Sequence, residues 1–133
     1  MRILGIDYGT KRIGIAVSDL DAQFALPHSV IQNSNAESKR QAILDEIVLI
    51  AQTNEIKTVV IGESRDYKGQ PNKILPVVLN LKKDLEGQGF EVHLELEFMT
   101  SQQAERFQGK TDKSDSAAAA LILQSYLDSY KNK

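Results

Sequence analysis

The chain has 133 residues, of which 41% are hydrophobic and 26% charged, and its formal net charge is −2. This composition is ordinary for a globular domain and excludes both a disordered chain and a strongly basic nucleic-acid binder of the histone type. The lack of cysteine excludes disulfides and thiolate metal sites, and the sequence shows neither an apolar run of membrane-spanning length nor a secretory leader. We therefore expect a single cytoplasmic domain over residues 1–133.

The first third of the chain is predicted to form three sequential strands. Residues 2–7 are a compact apolar run, and residues 13–18 alternate strictly between branched apolar and small residues. Gly9 lies in the short joining segment, which predicts an antiparallel hairpin. A third strand is expected near residues 25–32, where Pro27 favours an edge position.

Helical and strand patterns alternate in the middle of the chain. A helix is predicted over about 36–53 and a buried parallel strand over 58–62. The buried face of this helix is predicted to contain Ile43, Ile47 and Ile50. A loop, "ESRDYKGQPN", leads into a second helix that Asn72 can cap. Its apolar stripe is Ile74, Val78, Leu81 and Leu85.

The last third is predicted to contain one strand and one or two helices. Residues 90–98 alternate between apolar and polar side chains, and "TSQQ" at 100–103 has the spacing of a capping box. Residues 109–115 are the best candidate for a mobile loop, and the final helix is expected over about 114–130. Its buried side is predicted to contain Ala119, Leu123, Tyr126 and Tyr130.

This order of elements predicts an α/β fold with a mixed five-stranded sheet flanked by helices. Three sequential strands form an antiparallel meander, and the two later strands alternate with helices as parallel crossovers do. In this arrangement the first strand is central and the C-terminal helix packs over the sheet.

Three acids stand at the ends of predicted elements: Asp7, Glu97 and Asp115. Carboxylates that meet at one edge of a sheet suit Mg²⁺ or Mn²⁺, and two such ions can activate a water and stabilise the leaving oxygen of a phosphodiester. A cation would also explain an acid at the end of a buried strand, because an unpaired buried charge is costly. We predict that these three acids are metal ligands and catalytic residues.

Each acid also has an ordinary structural explanation. Asp7 could form a turn, Glu97 could belong to a solvated strand face, and Asp115 could interact with a helix macrodipole. Helical spacing nevertheless puts Asp115 on the stripe of Ala119 and Leu123, which favours an inward position.

Basic residues near the predicted hairpin tip are candidates for nucleic-acid binding. Lys11 and Arg12 would reach a phosphate backbone, and Gly9 could let a phosphate approach the main chain. A structural role in a solvated turn explains each of them equally well. Further lysines that could extend this surface are Lys68, Lys73, Lys110 and Lys113.

Three segments, "GIDYGTKRIGIAVSD", "EFMTSQQAE" and "DSAAAALILQSYL", resemble the YqgF family, also called RuvX, of RNase H-like nucleases. The resemblance covers nearly the whole chain. It implies an RNase H-like fold with a divalent-metal site at Asp7, Glu97 and Asp115. It also implies activity as a Holliday junction resolvase or as a nuclease that matures the 5′ end of pre-16S rRNA.

The chain departs from the family pattern in two places. Where the family commonly has Asp-Glu-Arg-Leu-Thr-Thr, this chain has "LEFMTS", which keeps Glu97 while Leu96 and Phe98 replace the flanking Asp and Arg. Without this arginine, we expect the chain to bind substrate less tightly than the family pattern implies. The family usually reads Gly-Leu-Pro after the middle strand, whereas this chain has Gly-Glu-Ser, so Glu63 is a candidate fourth acid.

Three functions from different classes are compatible with the sequence. The leading hypothesis is a metal-dependent nuclease, monomeric or dimeric, that acts on structured nucleic acid, either precursor rRNA or branched DNA. A second is a phosphate-binding module, because "GIDYGT" resembles the first phosphate loop of the sugar kinase, actin and Hsp70 superfamily. Those proteins close two such domains over a nucleotide, and this chain has room for one. A third is a non-catalytic RNase H-like scaffold for nucleic acid or a ribosome precursor, which the altered "LEFMTS" segment favours.

Overall fold

The computed structural model describes residues 1–9, 11–34, 37–65, 75–98 and 112–131. The strands are β1 (Ile3–Tyr8), β2 (Arg12–Ser18), β3 (Ala25–Gln32), β4 (Thr58–Arg65) and β5 (Glu91–Phe98). The helices are α1 (Arg40–Thr53), which follows a 3₁₀ turn at Glu37–Lys39, α2 (Leu75–Gly87) and α3 (Asp112–Lys131).

The five strands form one mixed sheet in the order β3-β2-β1-β4-β5. β1 pairs antiparallel with β2, which pairs antiparallel with β3, whereas β4 runs parallel to both β1 and β5. The predicted meander, the two parallel strands and the central position of β1 are therefore confirmed. Pro27 lies on the edge strand β3, beside a register shift at Ile15 and Ala16 of β2, which is where a residue without an amide proton is tolerated.

One face of the sheet packs against α1 and α2. The alternating residues Leu4 and Ile6 of β1 are fully buried in this layer, and Val78, Leu81 and Leu85 of α2 are buried as predicted. The prediction for α1 was wrong by one position. Its buried residues are Leu44, Ile47 and Ala51, and Ile43 and Ile50 lie half-buried at the margin of the core.

The opposite face of the sheet packs against α3, and the two approach closely because small residues line the contact. A Cβ atom added at Gly5 of β1 would lie 2.7 Å from the Cβ of Leu123, and one added at Gly62 of β4 would collide with the side chain of Ile122. Ala119, Leu123 and the neighbouring Leu127 are buried here, and Tyr126 packs at the margin. The predicted packing of the last helix over the sheet is confirmed.

Several boundaries differ from the prediction, those of β4 and α3 among them. β4 continues to Arg65 through the first three residues of the predicted loop, because its backbone stays paired with β5. The residues at 112–115, predicted as part of a mobile loop, form the first turn of α3. The predicted cap Asn72, Ile74, the predicted helix at 100–103 and the side chain of Tyr130 lie outside the described residues. Among the helices described, none has the length and apolar character needed to cross a membrane.

Candidate metal and nucleic-acid site

Asp7 lies near the carboxyl end of β1, in the middle of the sheet. It is half-buried, and its partner in the ladder with β2 is Gly14. Side chains alternate along a strand, and Ile3 and Gly5 both face α3. Asp7 therefore lies on the α3 face, at the end of the strand where the buried run of residues stops.

Asp115 reaches the same place from the start of α3. Its carbonyl oxygen rests on Gly14 so closely that a Cβ atom there would lie less than 3.0 Å from it. Residues directly opposite in an antiparallel ladder have Cα atoms about 4.5–5.5 Å apart, and Gly14 is the residue directly opposite Asp7. The structure thus packs the backbone of Asp115 on the residue that pairs with Asp7.

Position 97 lies at the same end of the strands as Asp7, but two strands away from it. Its backbone is in β5, next to the last residue, and pairs with Ser64 of β4. Two strand spacings, about 10 Å, separate β5 from β1. The side chain of Glu97 is outside the described residues, as is that of Glu63. Among the side chains that are described, no group of three or more His, Asp or Glu is placed to hold a metal ion.

Glu95 is the described acid of β5 nearest to this site, and it has a different partner. It is level with Gly62 of β4 and its Oε1 accepts a hydrogen bond from the Ser125 hydroxyl at 3.1 Å. The side chain of Ile122 covers Gly62 and therefore stands between Glu95 and Asp7. Glu95 links β5 to α3 and does not join the pair of aspartates.

Arg12 contacts Asp115 directly, which sequence reasoning did not predict. Its Nε lies 2.7 Å from the Asp115 Oδ2, and the two side chains are 37% and 25% exposed. These two atoms are inaccessible to solvent and are not aligned as a hydrogen bond. The contact is therefore a close pairing of opposite charges in a partly dehydrated position.

Gly9 and Lys11 occupy the turn of the hairpin beside this pair. The Gly9 amide donates to the Arg12 carbonyl at 3.0 Å, and the Asn33 side-chain amide donates to the Gly9 carbonyl at 2.6 Å. A Cβ atom at Gly9 would lie less than 3.0 Å from the Arg12 carbonyl oxygen, so close packing of the turn explains this glycine. Lys11 is exposed.

Four other predicted basic residues are not part of this description. Lys68, Lys73 and Lys110 lie outside the described residues, and so does the side chain of Lys113.

Gly14 is the residue of the site whose importance sequence reasoning underestimated. A glycine inside a strand often marks a close approach of another backbone, and here that backbone belongs to Asp115.

Comparison with known proteins shows a family. A family model described as "RuvX: Holliday junction resolvase" matches residues 1–129. Relatives named "Putative pre-16S rRNA nuclease" include one from Maridesulfovibrio salexigens that is 32% identical over 136 residues, which cover 96% of this chain and 98% of the relative. Another, from Thermoanaerobacter pseudethanolicus, is 34% identical over 148 residues and 100% of both chains.

A solved structure has a similar fold. RuvC of T. thermophilus in complex with a Holliday junction substrate superimposes with a TM-score of 0.58 at 16% sequence identity, over 100% of this chain and 97% of that chain. The similarity confirms the RNase H-like fold that the sequence resemblance implied. Because the family model spans nearly the entire sequence, this chain belongs to the RuvX family.

Proposed function

We propose that this chain is a divalent-metal-dependent nuclease, with residues 1–133 acting as one domain on structured nucleic acid. The observation that carries the proposal is the contact of the Asp115 backbone with Gly14, the ladder partner of Asp7. It packs the start of the helix that carries Asp115 on the strand that pairs with Asp7. Family membership supports a nuclease, since both the family model and the relatives carry nuclease names.

The residues present fit a Mg²⁺ or Mn²⁺ ion. Both ions prefer carboxylate oxygens, and Asp7 and Asp115 are half-buried on rigid elements. Asp115 already has a cation, Arg12, at 2.7 Å, so the position favours positive charge. We assign Asp7 and Asp115 as the ligands of one ion. Glu97 would contribute from β5, whose backbone is about 10 Å from that of β1.

The protein groups would position the substrate and hold the carboxylates in place for the metal. When bound, the ion would act as a Lewis acid that activates a water and stabilises the leaving oxygen. The backbone of Asp7 is held by its pairing with Gly14 of β2, and the preceding residues of β1 are paired on both sides. Lys11 lies exposed beside the site, where its ammonium group would hold a neighbouring phosphate of the same strand.

The comparisons indicate two candidate substrates. The names of the relatives point to precursor 16S rRNA, and the description of the family points to four-way DNA junctions. We propose the rRNA precursor first and the DNA junction second. The cytoplasmic location, expected from the lack of cysteine, and the monomeric or dimeric state stay predictions.

The test compares Asp7→Asn with the parent chain on both substrates, with Mg²⁺ and with Mn²⁺. We expect Asp7→Asn to lower the cleavage rate at least about a hundredfold, since even groups that only orient metal ligands cost about 10- to 100-fold when changed. Nucleic-acid binding in EDTA and the unfolding transition should stay close to those of the parent.

The matched control is Asp45→Asn, which removes an exposed carboxylate of α1 and should leave cleavage unchanged. Equal cleavage by Asp7→Asn and the parent would refute the catalytic assignment. Binding of either substrate without any cleavage by the parent, with both metals, would instead support a non-catalytic scaffold.

A further inference from the structure

Arg12 and Asp115 form a pair whose two contacting atoms have lost their water. The Nε and Oδ2 atoms are 2.7 Å apart and inaccessible to solvent, although each side chain is partly exposed as a whole. A dehydrated carboxylate oxygen needs a positive partner, because an unpaired buried charge is costly. Arg12 supplies that partner to Asp115.

The backbones on both sides of this pair are fixed. Arg12 begins β2, and its carbonyl accepts the hydrogen bond from Gly9 that closes the hairpin turn. Asp115 is held two residues farther along β2, where its carbonyl packs on Gly14. The guanidinium group can therefore leave Asp115 by rotation of its own side chain, without movement of the sheet or of α3.

A divalent cation at Asp115 would compete with Arg12 for the same oxygen. A divalent ion and a guanidinium group on the same oxygen repel each other, so the carboxylate cannot bind both at full strength. An arginine displaced from this position would remain at the hairpin end, next to Lys11, where its guanidinium group can donate to a substrate phosphate.

We propose that Arg12 is an exchangeable counter-ion: it neutralises Asp115 in the metal-free protein and moves to a substrate phosphate when a divalent ion binds. This inference rests on the proposed function, because it requires the ion at Asp115. It adds a coupling in which metal binding makes Arg12 available to the nucleic acid. Arg12 is in this respect a positioning residue for the substrate.

The first test measures Mn²⁺ binding by titration calorimetry in the parent, Arg12→Gln, Arg12→Lys and Lys39→Gln. Arg12→Gln should bind Mn²⁺ about fivefold more tightly or better, the size of a typical coupling between two sites. Arg12→Lys keeps the charge and should stay near the parent. Lys39→Gln changes the net charge of the chain equally, at an exposed position before α1, and should also stay near the parent.

The second test uses the metal-free protein and a double-mutant cycle on nucleic-acid binding in EDTA. Asp115→Asn should release Arg12 and raise affinity in the parent background, whereas the same change in an Arg12→Gln background should give a gain at least about fivefold smaller. A purely structural pair would not produce this difference, since removal of the carboxylate would then act equally in both backgrounds.

Two outcomes separate this inference from the proposed function. If the parent fails to bind Mn²⁺, the metal site itself is overturned, and the exchange with it. If the parent binds Mn²⁺ and cleaves, but Arg12→Gln gains no affinity for the ion and the cycle shows no coupling, only the exchange is overturned.

Discussion

At the scale of single residues, Gly14 is the position where the helix that carries Asp115 packs on the strand that pairs with Asp7. It is the ladder partner of Asp7 and the contact point of the Asp115 carbonyl. Any side chain there would need space that the α3 backbone occupies. The cost of such overpacking is typically about 1–3 kcal/mol, because a backbone cannot rotate away as a flexible side chain can.

We predict that Gly14→Ala destabilises the protein by about 1–3 kcal/mol and shifts the start of α3 away from β2. The shift should weaken Mn²⁺ binding and cleavage even at temperatures where the variant is folded. Denaturant unfolding followed by circular dichroism gives the first quantity, and calorimetry gives the second.

The control for that change is Gly87→Ala, at the end of α2, where an added Cβ meets no atom within 4 Å. It should leave metal binding unchanged and stability within about 0.5 kcal/mol or slightly higher. If the two variants were equally stable and bound Mn²⁺ equally well, the close packing of Asp115 on Gly14 would not be what assembles the site.

At the scale of elements, α3 is the part that carries Asp115 to the sheet. It runs over the glycines and alanines of β1, β2 and β4, and its stripe of Ala119, Ile122, Leu123 and Leu127 is buried. The position of Asp115 is therefore set by apolar packing over the whole helix. Leu123, fully buried against Gly5, is in the middle of that contact.

We predict that Leu123→Ala lowers the free energy of unfolding by about 2–5 kcal/mol, the range for a buried leucine that leaves a cavity. Leu121→Ala, two residues away on the same helix and 45% exposed, should cost less than about 1 kcal/mol. Urea unfolding of both variants checks the difference. Similar losses would mean that α3 is not anchored to the sheet by this stripe.

Elements were largely predictable from the sequence because their hydrophobic periods are strong. The five strands, their order and the apolar stripe of α2 followed from alternation, helical spacing and turn residues. The buried face of α1 did not, since residues 47–51 are all apolar and only packing chooses Leu44 and Ala51 over Ile43 and Ile50. The end of β4 was missed because main-chain pairing with β5 continues through polar residues.

The site was predictable only in part. The ends of elements indicated Asp7 and Asp115 as neighbours, and the Asp115 backbone packs on Gly14, the ladder partner of Asp7. Their role as metal ligands stays a prediction. The Arg12 contact was not predictable, because it depends on how far α3 extends over the sheet and which atom it presents to β2. Glu97 remains a prediction, since its backbone is at the expected edge but its side chain is not described.

At the scale of the whole molecule, charge sets how the chain can hold nucleic acid. With a formal net charge of −2, the protein as a whole does not attract a phosphate backbone, so affinity must come from local contacts. The described site offers Lys11 and Arg12, and Arg12 is paired with Asp115. Binding without metal should therefore release few counter-ions.

We predict that the slope of log K against log salt concentration for nucleic-acid binding in EDTA is about −2 or shallower, as expected for one or two phosphate contacts. Lys11→Gln should make the slope shallower by about 0.7–0.9, whereas Lys39→Gln, an exposed change at the start of α1, should leave it unaltered. Fluorescence anisotropy with labelled rRNA precursor over a range of KCl concentrations measures both. A slope steeper than about −4 would require four or more phosphate contacts, and the hairpin end would then be a minor part of the binding surface.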